Sequence, residues 1–429
     1  MSQGPSRTSL IEQYHSWGRP TDTFLVGAEF ERHLLRANGH PVPYFGAHGV
    51  GWLLAELAKD GGWTSAFEGE HRVALYRDGA SVTLEPGSQF ELSTAPYATV
   101  AEVAAEAQAF NADIDRRIAG TDIHQVALGY TPFAAMDDIP WVPKGRYAIM
   151  RTYLAQTGAL AHDMMKGTCA TQASFDFADE ADAAAKVRLA ILLGPLTTAM
   201  FANSPIRQGV DSGYASFRGH VWTQTDPRRT GFPEAAASFS FARWVDYLLD
   251  VPMMFRKRRG AWEPAHGMTF RAWLDDPTDP PTQDDWDLHL TSVFPEVRIK
   301  RTIEVRGADC VPLPLGMAFV ALFKGLFYTP SALDRATELA LRLSAHGDRE
   351  ARFAVACRAG LRGEVGGRPL AAWAADLLDI ATATFSPADA HFLAPLIAQI
   401  ETGESPAHAL LRAWSSDPTP ARLISLARP

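Results

Sequence analysis

Apolar and polar residues alternate in several short segments of the chain, and this period of two predicts β-strands. Longer segments between them place apolar residues three and four positions apart, which is the pattern of amphipathic helices. Because strands and helices are interspersed along the chain, the pattern predicts an α+β fold. The predicted strands are residues 24–31, two strands within 72–92, 124–132, 169–177 and 297–309. The predicted helices are residues 100–118, 180–201 and 239–249.

The last quarter of the chain differs in composition from the rest. Residues 331–429 are rich in Ala, Leu and Arg and predict a helical section. We expect this section to pack on a core formed by residues 1–330, giving a single compact domain. There is no internal repeat in the sequence, which argues against solenoid and propeller folds.

Composition and charge narrow the function classes. A chain of 429 residues that is 47% hydrophobic can bury a large core. Its net charge of -9 argues against a surface that binds nucleic acid or an anionic membrane. Three cysteines, Cys169, Cys310 and Cys357, are too few and too far apart for a disulfide framework. We therefore expect a cytoplasmic protein without a nucleic-acid or membrane partner.

Two apolar segments come nearest to the length of a membrane span. Residues 187–202 are interrupted by Gly194 and Pro195, and residues 311–327 are interrupted by two prolines and Lys324. Both interruptions favour buried core helices over membrane-spanning helices.

The segment at residues 27–31 carries the first candidate site. Glu29 and Glu31 are two positions apart on a predicted strand, so both side chains leave the same face. Two carboxylates side by side are unfavourable unless a cation joins them, and Mg²⁺ is commonly held by one or two carboxylates plus substrate phosphates. A solvated polar strand face is the alternative interpretation.

Two further glutamates lie around a bend. Glu85 ends one predicted strand, Pro86 and Gly87 force the bend, and Glu91 begins the next apolar segment. Acids in these positions could reach a shared metal ion, and ordinary solvation of a turn would explain them equally well.

A third acidic segment pairs a carboxylate with a guanidinium group. Glu304 and Arg306 share one face of a predicted strand. A metal-binding carboxylate beside an arginine that holds a phosphoryl group suits phosphoryl transfer, although a plain ion pair would look the same. The chain has three such acid-bearing strands and neither GxxxxGK[ST] nor GxGxxG, which favours a shared metal site over the common nucleotide-binding loops.

Other residues are candidates for binding substrate. Thr168, Cys169 and Gln172 could line a small polar pocket, and we expect Cys169 to be a packing residue rather than a nucleophile. An anionic substrate would also need cationic side chains, for which the sequence offers three arginines, any of which could instead lie on the surface. These are Arg146, Arg218 and Arg229.

Taken together, the segments resemble the plant-type glutamate–cysteine ligases, which also occur in proteobacteria. The matching motifs follow one order from residue 24 to residue 309. They are GAEFE at 27–31, SVTLEPGSQFELS at 81–93, VPKGRYAIM at 142–150, DMMKGTCATQ at 163–172, MFANSPIRQG at 200–209, FRGHVWTQTDPRRTG, VDYLLDVPMMF, GMTFRAWL, DWDLHLTSVFPEVRIKR and IEVRGAD.

This resemblance implies a fold and a set of ligands. The fold would be that of the glutamine-synthetase-like carboxylate–amine ligases, in which a curved antiparallel sheet cradles ATP, metal ions and both amino acids. The implied Mg²⁺ ligands are Glu29, Glu31, Glu85, Glu91 and Glu304, with Gln172 a weaker candidate. Arg306 would lie beside the transferred phosphate, with Glu29 and Glu304 taking part in catalysis. Arg146, Arg218 and Arg229 would bind glutamate carboxylates or ATP phosphates.

The implied activity is the first step of glutathione-type thiol synthesis. ATP would phosphorylate the γ-carboxylate of glutamate, and the amine of cysteine would then attack the acyl phosphate. We expect a monomer or a homodimer.

Two departures from the family pattern leave the acceptor open. Phe30 stands where the family usually has His, and Cys310 follows Asp309 where the family continues Gly-Gly-Pro-Trp. The alternatives are therefore a relative that joins glutamate or a similar acid to a different amine in a secondary pathway, or a non-catalytic protein that kept the fold.

Overall fold

An antiparallel β-sheet forms the centre of the protein, in a computed structural model that describes residues 4–385 and 387–429. Strand β1 lies in the middle, the strand order is β12-β13-β7-β1-β5-β4-β3-β2, and β6 pairs with the C-terminal part of β1. The remaining strands form short separate hairpins. The strands are β1 Val26–Arg36, β2 Thr64–Glu68, β3 His71–Arg77, β4 Ala80–Leu84, β5 Phe90–Ser93, β6 Ile123–Val126, β7 Ala170–Phe175, β8 Ile206–Arg207, β9 Val210–Asp211, β10 Phe255–Arg258, β11 Ala261–Pro264, β12 Val297–Ile299, β13 Ile303–Asp309, β14 Glu364–Val365 and β15 Arg368–Pro369.

Helices surround this sheet, and the predicted α+β class is confirmed. They are α1 Arg7–Ser16, α2 Val50–Leu57, α3 Val100–Ile118, α4 Gly145–Leu154, α5 Ala161–Gly167, α6 Glu180–Met200, α7 Phe217–Thr223, α8 Glu234–Ala237, α9 Phe241–Asp250, α10 Phe270–Leu274, α11 Gln283–Leu290, α12 Leu313–Tyr328, α13 Pro330–Ser344, α14 Arg349–Ala359, α15 Leu370–Thr382, α16 Pro387–Ala390, α17 Ala394–Glu401, α18 Pro406–Ser415 and α19 Pro420–Leu426.

The strand predicted at residues 297–309 is in fact a hairpin. Strands β12 and β13 pair antiparallel, with Arg298 opposite Glu304, and the Lys300 N–H donates to the Thr302 carbonyl in the turn. The apolar residues at 297, 299, 303 and 305 keep the same period of two on both sides of the turn, so the segment was interpreted as one strand, although residues 300–302 are three polar residues in a row.

The strand predicted at residues 124–132 is also shorter than expected. Strand β6 ends at Val126, and the next residues turn away from the sheet, where the Ala127 N–H donates to the Ala427 carbonyl. The Gly129 N–H donates to the Asn203 carbonyl. After Val126 the backbone therefore makes hydrogen bonds to distant parts of the chain and not to a neighbouring strand.

One face of the sheet is buried under helices. Helices α3 and α12 contact β1, and α6 contacts β13. Phe30 of β1 points to this side and is fully buried beneath Gly316 of α12, where an added Cβ would lie 3.1 Å from the Phe30 ring. Because neighbouring residues of a strand point to opposite faces, Glu29 and Glu31 project from the other face.

Helix α6 has the length and composition of a membrane span, but most of it lies inside the protein. Its most apolar 18-residue window is 78% buried. Helices α13, α14 and α15 pack against it, so the mostly helical C-terminal section covers the core. The boundary at residue 330 stays a prediction.

Candidate active site

A cavity of about 420 Å³ lies on the face of the sheet from which Glu29 and Glu31 project. Strands β1, β4, β5, β7 and β13 contribute its floor, and helices α4, α5 and α7 contribute walls. Most of the residues singled out from the sequence line it. They are Glu29, Glu31, Glu85, Glu91, Arg146, Thr168, Gln172, Arg218 and Arg306.

Strand register explains why these side chains meet. Glu31 of β1 is directly opposite Glu91 of β5, which is opposite Thr83 of β4. On the other side of β1, Glu29 is opposite Gln172 of β7. Facing residues of paired strands project to the same side of a sheet. Strand pairing therefore places glutamates that are far apart in sequence side by side on one face of the sheet.

Glu31 and Glu91 are held in place by hydrogen bonds. The Ala170 N–H donates to Glu31 Oε2 at 2.7 Å, and the Gln172 Nε2 donates to Oε1 at 3.0 Å. The Thr83 hydroxyl donates to Glu91 Oε1 at 2.9 Å. Burial, together with the nearby charge of Glu85, raises the pKa of Glu31 to about 8 and that of Glu91 to about 7. A cation that binds at the Glu31 and Glu91 carboxyl groups would therefore displace protons from them.

Glu29 is in a similar electrostatic position. Burial raises its pKa well above the usual value, and the charges of Glu304 and Glu91 raise it further. Within the described chain no hydrogen bond to the Glu29 or Glu85 carboxylate is present, so both have lone pairs free for a ligand.

The bend between Glu85 and Glu91 is fixed by close packing. A Cβ on Gly87 would lie 2.3 Å from the Lys166 carbonyl, so only glycine fits there. The Gln89 amide donates to the carbonyls of Met165 and Thr168 at 3.1 and 3.0 Å. This ties the bend to the segment that carries Thr168.

Glu304 does not fit the metal-ligand role that the resemblance implied. Arg298 donates to both of its carboxylate oxygens at 2.8 and 3.0 Å, and Arg306 Nη1 donates to Oε2 at 2.8 Å. Burial alone would raise the Glu304 pKa, but the charges of Arg298 and Arg306 outweigh it and hold the pKa well below its usual range. The side chain is a buried anion that positions two arginines.

Arg306 and Arg218 form the cationic side of the cavity. Arg306 also donates to the Gln172 side-chain oxygen. Arg218 Nη2 donates to the Arg306 carbonyl at 2.9 Å, and its Nη1 lies 3.9 Å from Asp309 Oδ1. Ser216 caps the N-terminus of its helix α7: the Ser216 hydroxyl accepts from the Gly219 N–H and donates to Asp309 Oδ1 at 2.8 Å. Both guanidinium groups are therefore anchored by the fold.

Arg229 is placed outside the cavity, contrary to the sequence-based hypothesis. It is fully buried and its donors are engaged by Asp226 at 2.7 Å, the Ser292 carbonyl at 2.9 Å, the Tyr153 hydroxyl at 2.9 Å and the Pro252 carbonyl at 2.7 Å. It braces the cavity wall and cannot reach a substrate.

Cys169 also lies outside the cavity lining. It is fully buried in a small cluster with Ala127 and Cys310, and burial raises the pKa of its thiol well above the usual value. The expectation of a packing role fits this position, and a part in binding substrate does not.

Two cationic residues of the cavity were missed from the sequence. Arg298 and Lys300 line it from the hairpin β12-β13. They alternate in the segment VRIKR just as Glu29 and Glu31 do in GAEFE, which is the signal that could have identified them.

Comparisons with known proteins place this geometry in a family. The sequence profile of glutamate–cysteine ligase family 2 matches residues 25–423. The chain is 38% identical over 342 residues to a chloroplastic glutamate–cysteine ligase of Brassica juncea, a match that covers 78% of this chain and 66% of the relative. A chloroplastic glutamate–cysteine ligase of Arabidopsis thaliana is also 38% identical, with 78% and 65% covered. The match thus spans about two thirds of the length of these relatives.

Solved structures show the same fold at low sequence identity. A glutamate–cysteine ligase from Francisella tularensis in complex with AMP superimposes with a TM-score of 0.55 at 11% identity, covering 94% of this chain and 87% of that one. A bifunctional glutathione synthetase from Pasteurella multocida gives a TM-score of 0.54 at 11% identity, covering 99% and 54%. With a profile match across nearly all of its length, the chain belongs to glutamate–cysteine ligase family 2.

Proposed function

We propose that this protein is an ATP- and Mg²⁺-dependent ligase that joins the γ-carboxylate of glutamate to the amine of cysteine. One observation carries the proposal: a single cavity brings four glutamates together with Arg146, Arg218, Arg298 and Arg306. None of the described residues that line it is Cys or His. A site of this composition suits phosphoryl transfer, which needs positioning and charge stabilisation rather than a protein nucleophile.

The glutamate carboxylates of the cavity suit an Mg²⁺ ion that takes few protein ligands. Within the described residues, no three Asp, Glu, His or Cys side chains are grouped as ligands of one metal ion. Magnesium usually takes only one or two protein carboxylates and completes its shell with water and substrate phosphates. Glu29 and Glu85 have unengaged oxygens, and Glu31 and Glu91 lie beside them on the same cavity wall. One or two of these four carboxylates would hold the ion, which when bound would neutralise charge on the phosphates of ATP.

The cationic side of the cavity would act on the transferred group. Arg306 and Arg218 are held rigidly, so they can stabilise negative charge on the γ-phosphate without reorganising. In the first step a γ-carboxylate oxygen of glutamate attacks the γ-phosphorus, and ADP leaves. In the second step the amine nitrogen attacks the acyl carbon of γ-glutamyl phosphate, and inorganic phosphate leaves.

The relatives support the same chemistry. The plant proteins are named glutamate–cysteine ligases, and the Francisella tularensis ligase was solved with AMP. ATP and glutamate are therefore the substrates that have the most support. The corresponding reaction is the first step of glutathione synthesis.

The structure removes the original reason to favour another acceptor. Phe30 lies on the opposite face of the sheet beneath α12, and Cys310 is fully buried with Cys169 and Ala127. Neither departure from the family pattern lies in the cavity lining. We therefore propose cysteine rather than a different amine.

We further propose a cytoplasmic monomer or homodimer that needs no nucleic acid or membrane. The three cysteines are unpaired and buried, as suits a reducing compartment. The net charge of -9 would disfavour binding to anionic polymers and membranes.

The test is ADP release by the purified protein with ATP, Mg²⁺ and glutamate, in parallel reactions with cysteine, serine and 2-aminobutyrate. We expect turnover to require glutamate, an amine and Mg²⁺, with cysteine preferred and γ-glutamylcysteine identified by mass. A different preferred amine would overturn the acceptor assignment. ADP release that needs no amino acid, or no turnover by folded protein, would overturn the ligase assignment.

A further inference from the structure

A second cavity, of about 560 Å³, lies on the other side of Trp222 from the candidate active site. Trp222 of α7 lines both cavities. None of the carboxylates or arginines assigned to catalysis lines the second cavity. The proposed reaction therefore gives this space no role.

The body of this cavity is apolar and aromatic. Phe232 and Phe353 form an edge-to-face pair with ring centroids 5.3 Å apart, and both line it together with Pro227 and Pro233. Its volume is within the range of about 300–1,000 Å³ that holds small organic ligands.

Three ionisable Glu and Arg residues line the cavity: Glu350 and Arg358 are exposed, and Glu296 is buried. Glu296 lines the cavity, and only 7% of its surface is exposed. Within the described residues neither carboxylate oxygen accepts a hydrogen bond, and because Oε2 is enclosed beside Gly307, Oε1 is the oxygen that a ligand in the cavity can reach. The Glu296 backbone is fixed, because its N–H donates to the Gly231 carbonyl at 2.8 Å and its carbonyl accepts from the Arg306 N–H at 3.0 Å. The backbone that carries this side chain is therefore held in place beside the cavity.

The surroundings do not compensate for this burial. A buried carboxylate oxygen without a donor is energetically unfavourable. Arg218 and Arg306 are near enough to attract Glu296 electrostatically, but they donate their hydrogen bonds to other groups. A ligand that brings its own donor would satisfy the carboxylate.

We propose that this cavity is a binding site for a small molecule with a primary amine on an aromatic or similarly apolar body. The amine donates to the Glu296 carboxylate, and the body packs against Phe232 and Phe353. Because Trp222 is the wall shared with the candidate active site, occupancy also changes the surroundings of the Trp222 indole.

Binding can be measured without any substrate, so its outcome is separate from that of the proposed ligase activity. The probe is 2-phenylethylamine, titrated into the full ¹⁵N-labelled protein while the indole N–H signals are recorded by NMR. The Trp222→Phe variant assigns the relevant signal. The matched probe is 3-phenylpropionate, which has the same aromatic body and a carboxylate in place of the amine.

We expect a saturable shift of the Trp222 signal with the amine and no shift with the acid. Glu296→Gln should weaken binding on the order of tenfold or more, since a charge-assisted hydrogen bond is lost. Ala354→Phe should block the cavity, because Ala354 lies at its exposed rim on α14. Ala351→Phe is the matched control, since Ala351 is exposed on the same helix outside the cavity.

The proposal fails if the amine produces no saturable shift, or if the acid binds as well as the amine. It also fails if Ala354→Phe leaves binding unchanged, or if ATP with Mg²⁺ displaces the probe competitively, which would place the probe in the candidate active site. Should Glu296→Gln not fold, the comparison of Ala354→Phe with Ala351→Phe decides the outcome.

Discussion

The Arg306 guanidinium group donates to Glu304 Oε2 at 2.8 Å, two residues away on the same face of β13. Arg298 engages both oxygens of the same carboxylate from the neighbouring strand. Glu304 is thus a buried anion between two cations, and its hydrogen bonds hold Arg306 where it lines the cavity.

This relationship predicts how Glu304→Gln will behave. We expect kcat to fall by about 10- to 100-fold, because Arg306 loses the anion that orients it. The Mg²⁺ concentration needed for half-maximal rate should stay the same, because arginines already engage both oxygens of Glu304. Steady-state kinetics across a Mg²⁺ titration checks both values. A large rise in the Mg²⁺ requirement with little change in kcat would restore Glu304 as a metal ligand.

Glu29→Gln should show the opposite Mg²⁺ dependence. Its carboxylate is unengaged in the cavity, so we expect activity to fall by about 100-fold or more together with a higher Mg²⁺ requirement. Stability should not fall, since a neutral amide relieves the repulsion from Glu91 and Glu304. The control is Glu12→Gln at an exposed position of α1, which should match the unmodified protein in both rate and Tm. Equal activity of the two variants would contradict the metal-binding role of Glu29.

Arg229 and Arg228 form a matched pair for testing a structural role. Arg229→Met leaves Asp226 buried without its partner and should lower the free energy of unfolding by about 3–5 kcal/mol. Arg228→Met should cost about 1 kcal/mol or less, since the Arg228 side chain is largely exposed. Urea denaturation measures both. If Arg229→Met instead kept its stability and raised the KM for ATP or glutamate many-fold, the original substrate-binding interpretation would be correct.

Alternation along strands predicted part of this site well. Residues two apart share a face, so the pairing of Glu29 with Glu31 followed from the sequence. The same rule separates Cys169 from Gln172. Cys169 directly precedes β7 and is three positions from Gln172, and residues an odd number of positions apart point to opposite faces of a strand. Applied to residues 168–172, it would have kept Thr168 and Gln172 and excluded Cys169.

The sequence pattern could not predict which side chains contact residues that are distant in the chain. Arg218 and Arg229 both lie in arginine-bearing segments of similar character, and only their tertiary partners distinguish a cavity arginine from a buried brace. Arg298 and Lys300 were missed because the hairpin was interpreted as one strand, since its apolar residues keep one period of two on both sides of the turn at residues 300–302.

Cys169 should be dispensable for chemistry. We expect Cys169→Ala to keep kcat within about threefold and to lose about 1 kcal/mol of stability from weaker packing. Iodoacetamide should label none of the three cysteines rapidly in the folded protein, because all three are buried. Mass spectrometry after timed labelling tests this, with urea-unfolded protein as the positive control. Rapid labelling that abolishes activity would show that the thiol is accessible and important.

The acidic wall of the cavity predicts an unusual pH dependence of stability. Glu31 and Glu91 have folded-state pKa values of about 8 and about 7, above the value of roughly 4.3 expected for an unfolded glutamate. The folded protein therefore binds more protons than the unfolded protein between these values, and its free energy of unfolding falls as pH rises through that window. Metal-free protein should lose this contribution between about pH 5 and pH 8, as followed by Tm. The double variant Glu31→Gln, Glu91→Gln should flatten the profile.

Because Mg²⁺ competes with these protons, the stabilisation by Mg²⁺ with ADP should be larger at pH 8 than at pH 6. Stabilisation by Mg²⁺ that does not depend on pH would mean that the ion does not bind at Glu31 and Glu91.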